Sequence, residues 1–144
     1  MDEVRRAAAG LAALLAVSLC AGLAVAGPAP QKSIRDGVFN ADQVEAGQAV
    51  FDEICIKCHT KDTFGPDYML GWNGASVAEL FMLVQGTMPY ETPGALDDEQ
   101  YADVIVYLFS INGVEAGDGK LPAELNELWD ISIDGPFTWK GSER

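Results

Sequence analysis

Two cysteines and a histidine at fixed spacing constrain this chain more than any other feature of its sequence. Cys55 and Cys58 lie three positions apart and His59 follows directly, which is the C-x-x-C-H pattern of covalent haem attachment. Two thiols at this spacing can close thioether bonds onto the two vinyl groups of one porphyrin edge. The next side chain then lies under the ring, so we expect the imidazole of His59 to bind the iron from the proximal side.

Other interpretations of the motif have less support. A structural zinc site needs about four nitrogen or sulfur ligands, but the chain has three cysteines in all, the third being Cys20, and one histidine. A thioredoxin-like dithiol belongs beside a βαβ pattern, whereas the residues around the motif show helical periodicity. A chance match in a structural helix, which would leave a free dithiol, is the remaining alternative.

Residues 1–26 have the pattern of an export signal. Arg5 and Arg6 precede a long apolar run that ends in an A-x-A cleavage motif at 24–26. The run is just long enough to span a bilayer as an uncleaved anchor, but it consists mostly of alanine and glycine with few strongly apolar residues. We therefore predict a cleaved signal peptide that carries Cys20 away, and a periplasmic mature protein without contact to the membrane.

The remaining chain has the length of one domain, and 49% of all residues are hydrophobic, enough for a packed core. Residues 27–40 contain two prolines and no apolar periodicity, which is typical of a linker or N-terminal arm. We expect the folded domain to cover 41–133, and residues 134–144 to form a C-terminal tail.

Amphipathic patterns and capping residues predict an all-α domain of three to four short helices and long loops. Ser76 and Glu79 form a capping-box pattern, Asp97 suits an N-cap, and Asn112-Gly113 suits a helix end. The predicted helices cover about residues 42–54, 76–86, 98–111 and 122–129, and residues 60–74 are expected to form a loop. In this architecture one covalently bound haem supplies part of the core.

A second iron ligand is needed opposite His59, and the candidates are methionines. Met82 lies in a predicted helix among apolar neighbours, where methionine is usually core filler. Met69 follows His59 too closely to reach the other face of the ring with ease. Met88 lies farther along, in a loop where Pro89 holds it extended. We therefore predict Met88 as the ligand, with ordinary loop packing as its alternative.

Two further residues are candidates for contacts around the haem. The proximal imidazole should be held through its other nitrogen, and the carbonyl of Pro66, in a Gly-Pro turn shortly after His59, is placed for this role. Trp72 has an N–H that could reach a haem propionate, although plain aromatic packing is the more common role for such a residue.

Together these residues resemble a class I c-type cytochrome. The resemblance rests on Gly47, Phe51, the 55–59 motif, Gly65-Pro66, Met88-Pro89 and the segment 101–108. Within this class the chain is similar to the single-haem domains that partner quinoprotein alcohol dehydrogenases and related periplasmic oxidoreductases. The resemblance implies thioethers at Cys55 and Cys58, iron ligation by His59 and Met88, a His59 contact to the Pro66 carbonyl, and close packing of Gly47 on Tyr107.

The charge of the chain bears on its partners. The chain has nine Lys and Arg and 22 Asp and Glu, which gives a net charge of −13. This charge disfavours nucleic acid, and it suits a basic protein partner and plain solubility equally well. We expect an electron carrier rather than an enzyme, with a periplasmic dehydrogenase as donor and an oxidase or second cytochrome as acceptor. The alternatives are a haem protein whose open sixth position binds peroxide or a gas, and a fixed electron-transfer subunit of a dehydrogenase complex.

Overall fold

The computed structural model describes residues 32–141. The predicted signal peptide, residues 27–31 and the last three residues of the tail lie outside this range. The described helices and strands are β1 (Lys32–Ser33), α1 (Ala41–Glu53), α2 (Pro66–Leu70), α3 (Val77–Thr87), α4 (Asp98–Ile111), α5 (Leu125–Leu128) and β2 (Ile131–Ser132). Short 3₁₀ turns cover Cys55–Lys57 and Lys61–Phe64. The all-α prediction is confirmed. Between residues 32 and 141, no helix has the length and apolar character needed to cross a membrane.

Capping boxes begin the two longer helices after the motif, at the residues that the sequence indicates. The Ser76 hydroxyl accepts the Glu79 N–H at 3.3 Å, and the Glu79 carboxylate accepts the Ser76 N–H at 2.8 Å. At the start of α4, the Asp97 carboxylate accepts the Gln100 N–H at 2.8 Å, and the Gln100 side-chain carbonyl accepts the Asp97 N–H at 3.1 Å. Each box satisfies two backbone donors that the first helical turn leaves unpaired, which fixes where the helix begins.

The expected loop over 60–74 is more ordered than predicted. It contains the 3₁₀ turn Lys61–Phe64 and the short helix α2, which begins at Pro66. Proline suits this first helical position because its ring presets φ and its missing N–H would have had no partner there. Because Gly65-Pro66 is typical of a turn, α2 was not predicted from the sequence.

The last predicted helix is shorter than expected. It begins at Leu125 rather than at Pro122. Before it, the Gln43 side chain binds the main chain of Leu121 twice, accepting its N–H at 2.7 Å and donating to its carbonyl at 3.2 Å. These two bonds tie Leu121 to the start of α1, so the chain around Pro122 follows α1 instead of turning into a helix.

The described parts of the expected arm and tail belong to the folded domain. β1 pairs in parallel with β2, with Lys32 opposite Ile131, and the side chains of Ile34 and Phe39 are fully buried. In the tail, the Thr138 N–H donates to the carbonyl of Asn112 at 2.9 Å. Proline content and missing periodicity marked both segments as irregular, but irregular chain can still fill a core.

Helices α1 and α4 pack with their backbones in contact at Gly47. A Cβ built on Gly47 would overlap the carbonyl group of Asp103 and would lie 3.0 Å from the Cβ of Tyr107. One turn farther along α1, the ring of Phe51 packs on the ring of Tyr107 with centroids 5.4 Å apart. The contact between Gly47 and Tyr107 that the resemblance implies is therefore present.

Gly47→Ala tests this crossing. The added methyl group has no room against the α4 backbone, so we expect the free energy of unfolding to fall by at least about 2 kcal/mol. The matched control is Gly86→Ala in α3, where an added Cβ meets nothing within 4 Å. There the better helix propensity of alanine should raise stability by up to about 1 kcal/mol. Denaturant unfolding of the haem-loaded proteins measures both changes, and equal effects of the two substitutions would contradict the crossing.

Candidate functional site

The end of α1 delivers the two thiols and the imidazole on a single tight turn. α1 ends at Glu53, and the chain continues into the 3₁₀ turn Cys55–Lys57. The carbonyl of Cys55 accepts the N–H of Cys58 at 3.1 Å and the N–H of His59 at 2.9 Å. These bonds hold the three side chains of the motif in one local unit whose direction is set by α1.

Cys55 and Cys58 are both free thiols. Cys55 is half-buried and packs against the cluster of Phe51, Tyr107, Leu108 and Ile111, whereas Cys58 is exposed. Burial raises the pKa of the Cys55 thiol. Redox-active dithiols depend on a lowered thiol pKa, so this environment does not favour the free-dithiol alternative. It places an unpaired sulfur at the edge of the core.

The imidazole of His59 lies against an aromatic residue that the sequence analysis did not single out. His59 is half-buried, and its ring centroid lies 5.1 Å from that of Phe64. Phe64 also makes edge contacts with Phe51 at 5.9 Å and with Tyr68 at 5.2 Å. Phe64 therefore joins His59 to the core at the α1–α4 crossing.

Asn112 fixes the main chain of Phe64. Its side chain is fully buried, and its Nδ2 donates to the Phe64 carbonyl at 2.7 Å and to the Leu108 carbonyl at 2.8 Å. The C-terminal end of α4 is thereby joined to the segment that supports His59. Sequence indicated only the helix end here, because the partner of the amide lies far away along the chain.

The structure separates the three methionine candidates. Met69 is fully buried in the main core, where its sulfur is occupied by apolar packing. Met82 lies on α3 and is 40% exposed. Met88 is the C-cap residue of α3, half-buried, and its N–H donates to the Val84 carbonyl at 2.8 Å. Burial removes Met69 from the candidates.

The carbonyl of Met88 is bound as well as its N–H. It accepts the Tyr101 hydroxyl at 2.7 Å and the Gly94 N–H at 3.3 Å. Tyr101 is fully buried on α4. Tyr101 lies in a predicted helix, but nothing in the sequence indicates which group a buried tyrosine hydroxyl will bind.

Pro66 and Trp72 lie near this region, and their predicted contacts to His59 and to a propionate stay predictions. Pro66 follows Phe64 by two positions and begins α2. Trp72 is half-buried, packs against the main core and lies 6.5 Å from Tyr68, ring to ring. Burial raises the pKa of Tyr68, and its side-chain hydrogen bond with Trp72 opposes that shift.

The donor set fits a covalently attached haem. Two free thiols three positions apart match the two vinyl groups, and an imidazole and a thioether match the two axial positions of the iron. Near them in the chain, large apolar side chains are left exposed, as expected where a porphyrin is to be covered. These are Ile56, Leu70, Met82, Leu83 and Tyr90.

A family model described as cytochrome c oxidase, cbb3-type, subunit III matches residues 42–108. The matched range starts in the first turn of α1, contains the 55–59 motif and Met88, and ends within α4. None of the curated proteins and none of the solved structures compared with this chain matches it.

Asn112→Asp tests the support of the His59 segment. The substitution keeps the shape but puts a buried carboxylate against two carbonyls that have lost their donor, so we expect stability at neutral pH to fall by about 3 kcal/mol. At about pH 3 the carboxyl is protonated and offers one donor, so the loss should be smaller. Denaturant unfolding at both pH values gives the comparison.

The control for this experiment is Asn73→Asp. The Asn73 side chain accepts the Gly135 N–H at 2.8 Å, and a carboxylate can accept the same bond. Its substitution should change stability by less than about 0.5 kcal/mol. Equal losses for Asn112→Asp and Asn73→Asp would show that the Phe64 tether contributes nothing specific.

Proposed function

We propose that this chain, which carries a class I c-type cytochrome domain, transfers single electrons from a dehydrogenase to a downstream acceptor. The cofactor of the domain is haem c, bound covalently, and when bound it supplies the change between ferrous and ferric iron. The part of the protein is to hold the iron ligands in place, to cover the porphyrin and to meet its partners. We do not assign any residue as acid, base or nucleophile.

The observation that carries this proposal is the fixed position of Met88. Its N–H donates to the Val84 carbonyl, and its own carbonyl accepts the Tyr101 hydroxyl and the Gly94 N–H. A thioether held at the sixth position blocks small ligands and raises the reduction potential, both of which suit electron transfer. We therefore assign His59 and Met88 as the axial ligands and Cys55 and Cys58 as the thioether positions.

The open-site alternative has less support. Peroxide cleavage needs a polar group on the distal side, usually histidine or arginine. His59 is the chain's only histidine, and within residues 32–141 the only arginine is Arg35. The Arg35 Nε donates to the carbonyls of Asp134 and Gly135 at 2.9 and 3.1 Å, which holds it at the C-terminal segment. We therefore propose electron transfer, rather than peroxide or gas binding, as the function of this chain.

Location and partners follow from the same proposal. The signal-like residues 1–26 and covalent haem attachment, which takes place outside the bacterial cytoplasm, support a periplasmic protein. The matching family model is described as an oxidase subunit, which supports an oxidase or a second cytochrome as the acceptor. A periplasmic dehydrogenase is proposed as donor on the sequence resemblance alone, with attachment to that enzyme as a fixed subunit as the alternative.

Met88→Ala tests the ligand assignment. Ferric iron bound to a methionine sulfur gives a weak far-red charge-transfer band, and we expect the haem-loaded wild-type protein to show it and Met88→Ala to lose it. Met82→Leu, which changes an exposed methionine on α3, should keep the band. A wild-type spectrum with high-spin features and no far-red band would instead support the open site, and loss of the band in Met82→Leu would move the ligand to Met82.

Acidic side chains lie at both ends of α4. Asp97, Asp98 and Glu99 lie at the N-terminal end of α4, and Glu115 follows its C-terminal end, about 20 Å away for a helix of this length. Glu99 pairs with Lys120 at 3.4 Å, and Glu115 pairs with Lys140. Because the acidic side chains are spread over both ends of this helix, we propose that the overall charge of −13 steers partners toward the protein.

Ionic strength tests this steering. The electron-transfer rate constant with a redox protein of strongly positive net charge should fall by about tenfold between low salt and about 0.2 M, because salt screens the attraction. With a strongly negative redox protein the rate should rise over the same range. Rate constants that do not depend on ionic strength with either partner would contradict electrostatic steering. They would not contradict the electron-carrier function.

A further inference from the structure

We infer that Tyr101 is a positioning residue for the iron ligand, and that it keeps the Met88 thioether in place by binding the Met88 main chain. The inference rests on the proposed ligation by Met88. Tyr101 itself would touch neither the iron nor the sulfur, since its hydroxyl is engaged with a backbone carbonyl.

Tyr101 is rigidly placed. It lies in the first turn of α4, where its N–H donates to the carbonyl of Asp97 at 3.1 Å. Its ring is fully buried and makes an edge contact with Phe81 of α3 at 6.0 Å. The hydroxyl is thus presented from the contact between two helices at a fixed position.

The hydroxyl of Tyr101 joins the two ends of the loop that follows α3. It donates to the Met88 carbonyl at 2.7 Å and accepts the Leu96 N–H at 3.5 Å. Between these points Pro89 and Pro93 have no N–H to donate. One buried hydroxyl therefore closes a loop that has few backbone bonds of its own.

The middle of this loop has little packing to hold it. Residues 90–95 are all exposed, and Tyr90 is 83% exposed. The position of Met88 therefore depends on its end contacts: the α3 carbonyl of Val84, the Gly94 N–H and the Tyr101 hydroxyl. Of these three, the hydroxyl is the only one that belongs to a side chain, so it can be removed without altering the backbone.

Removal of the hydroxyl should make it easier for Met88 to leave the iron. An external ligand such as imidazole binds ferric iron only after the thioether has moved away, so its apparent affinity reports the population with Met88 dissociated. Loss of one buried hydrogen bond should raise that population, and with it the affinity for imidazole, by about fivefold.

The chain offers a matched control in the same helix. Tyr107 is also fully buried on α4, but its hydroxyl interacts with the side chain of Lys61 and has no hydrogen bond to the Met88 loop. Tyr107→Phe therefore removes the same atom from the same kind of environment without touching the Met88 loop. Imidazole would be titrated into haem-loaded wild type, Tyr101→Phe and Tyr107→Phe, with loss of the far-red band as the signal and unfolding free energies measured beside it.

We expect the dissociation constant for imidazole to fall about fivefold in Tyr101→Phe and to change less than twofold in Tyr107→Phe. If Tyr101→Phe loses stability but binds imidazole as the wild type does, the hydroxyl supports the fold alone and the inference is overturned. Equal shifts in the two variants would overturn it too. A wild type without the far-red band would overturn the ligation by Met88 and the inference with it, which separates that failure from a failure of Tyr101 alone.

Discussion

The contact between the backbones of α1 and α4 at Gly47 is the constraint on which the rest of the structure depends. A side chain there would overlap the carbonyl group of Asp103, so the two helices can approach this closely only with glycine at this position. The crossing fixes the direction in which α1 ends, and α1 ends directly before the turn that carries Cys55 and His59. A small error in the crossing would thus be passed on to the thiols and the imidazole together.

Helix α4 serves both sides of the site. Near its start, Tyr101 binds the main chain of Met88, and just past its end Asn112 binds the main chain of Phe64, which packs on His59. Both contacts run from a buried side chain to a backbone carbonyl in an irregular segment. Helix–helix packing thereby determines the position of two segments that have little regular structure, one carrying Met88 and one supporting His59.

Much of this architecture could be predicted from sequence because it depends on local patterns. The haem motif, the capping boxes at Ser76 and Asp97 and the helix end at Asn112 each need only a few neighbouring residues. The likeness to class I c-type cytochromes was likewise readable from short motifs, and residues 42–108 match a family model of that kind. The close packing of Gly47 on another helix was also predicted, and the structure shows it at the contact with α4.

What sequence could not give is the pairing of distant polar groups. The Asn112 amide, the Tyr101 hydroxyl and the Gln43 side chain each bind backbone groups that only the tertiary fold brings near. The helix α2 was missed because Gly-Pro is typical of turns as well as of helix starts. The packing of residues 32–40 was missed because a segment without periodicity gives no sign of which of its apolar side chains will be buried.

The contacts of that N-terminal segment have a consequence for where the chain can be shortened. The N–H of Ile34 donates to the carbonyl of Ser132. The carbonyls of Gly37 and Phe39 accept the N–H groups of Gly119 and Gly117. The backbone of this N-terminal segment therefore has its hydrogen-bond partners far along the chain, between residues 117 and 132. A chain that ended before residue 117 would leave these backbone groups without the partners that they have in the folded domain.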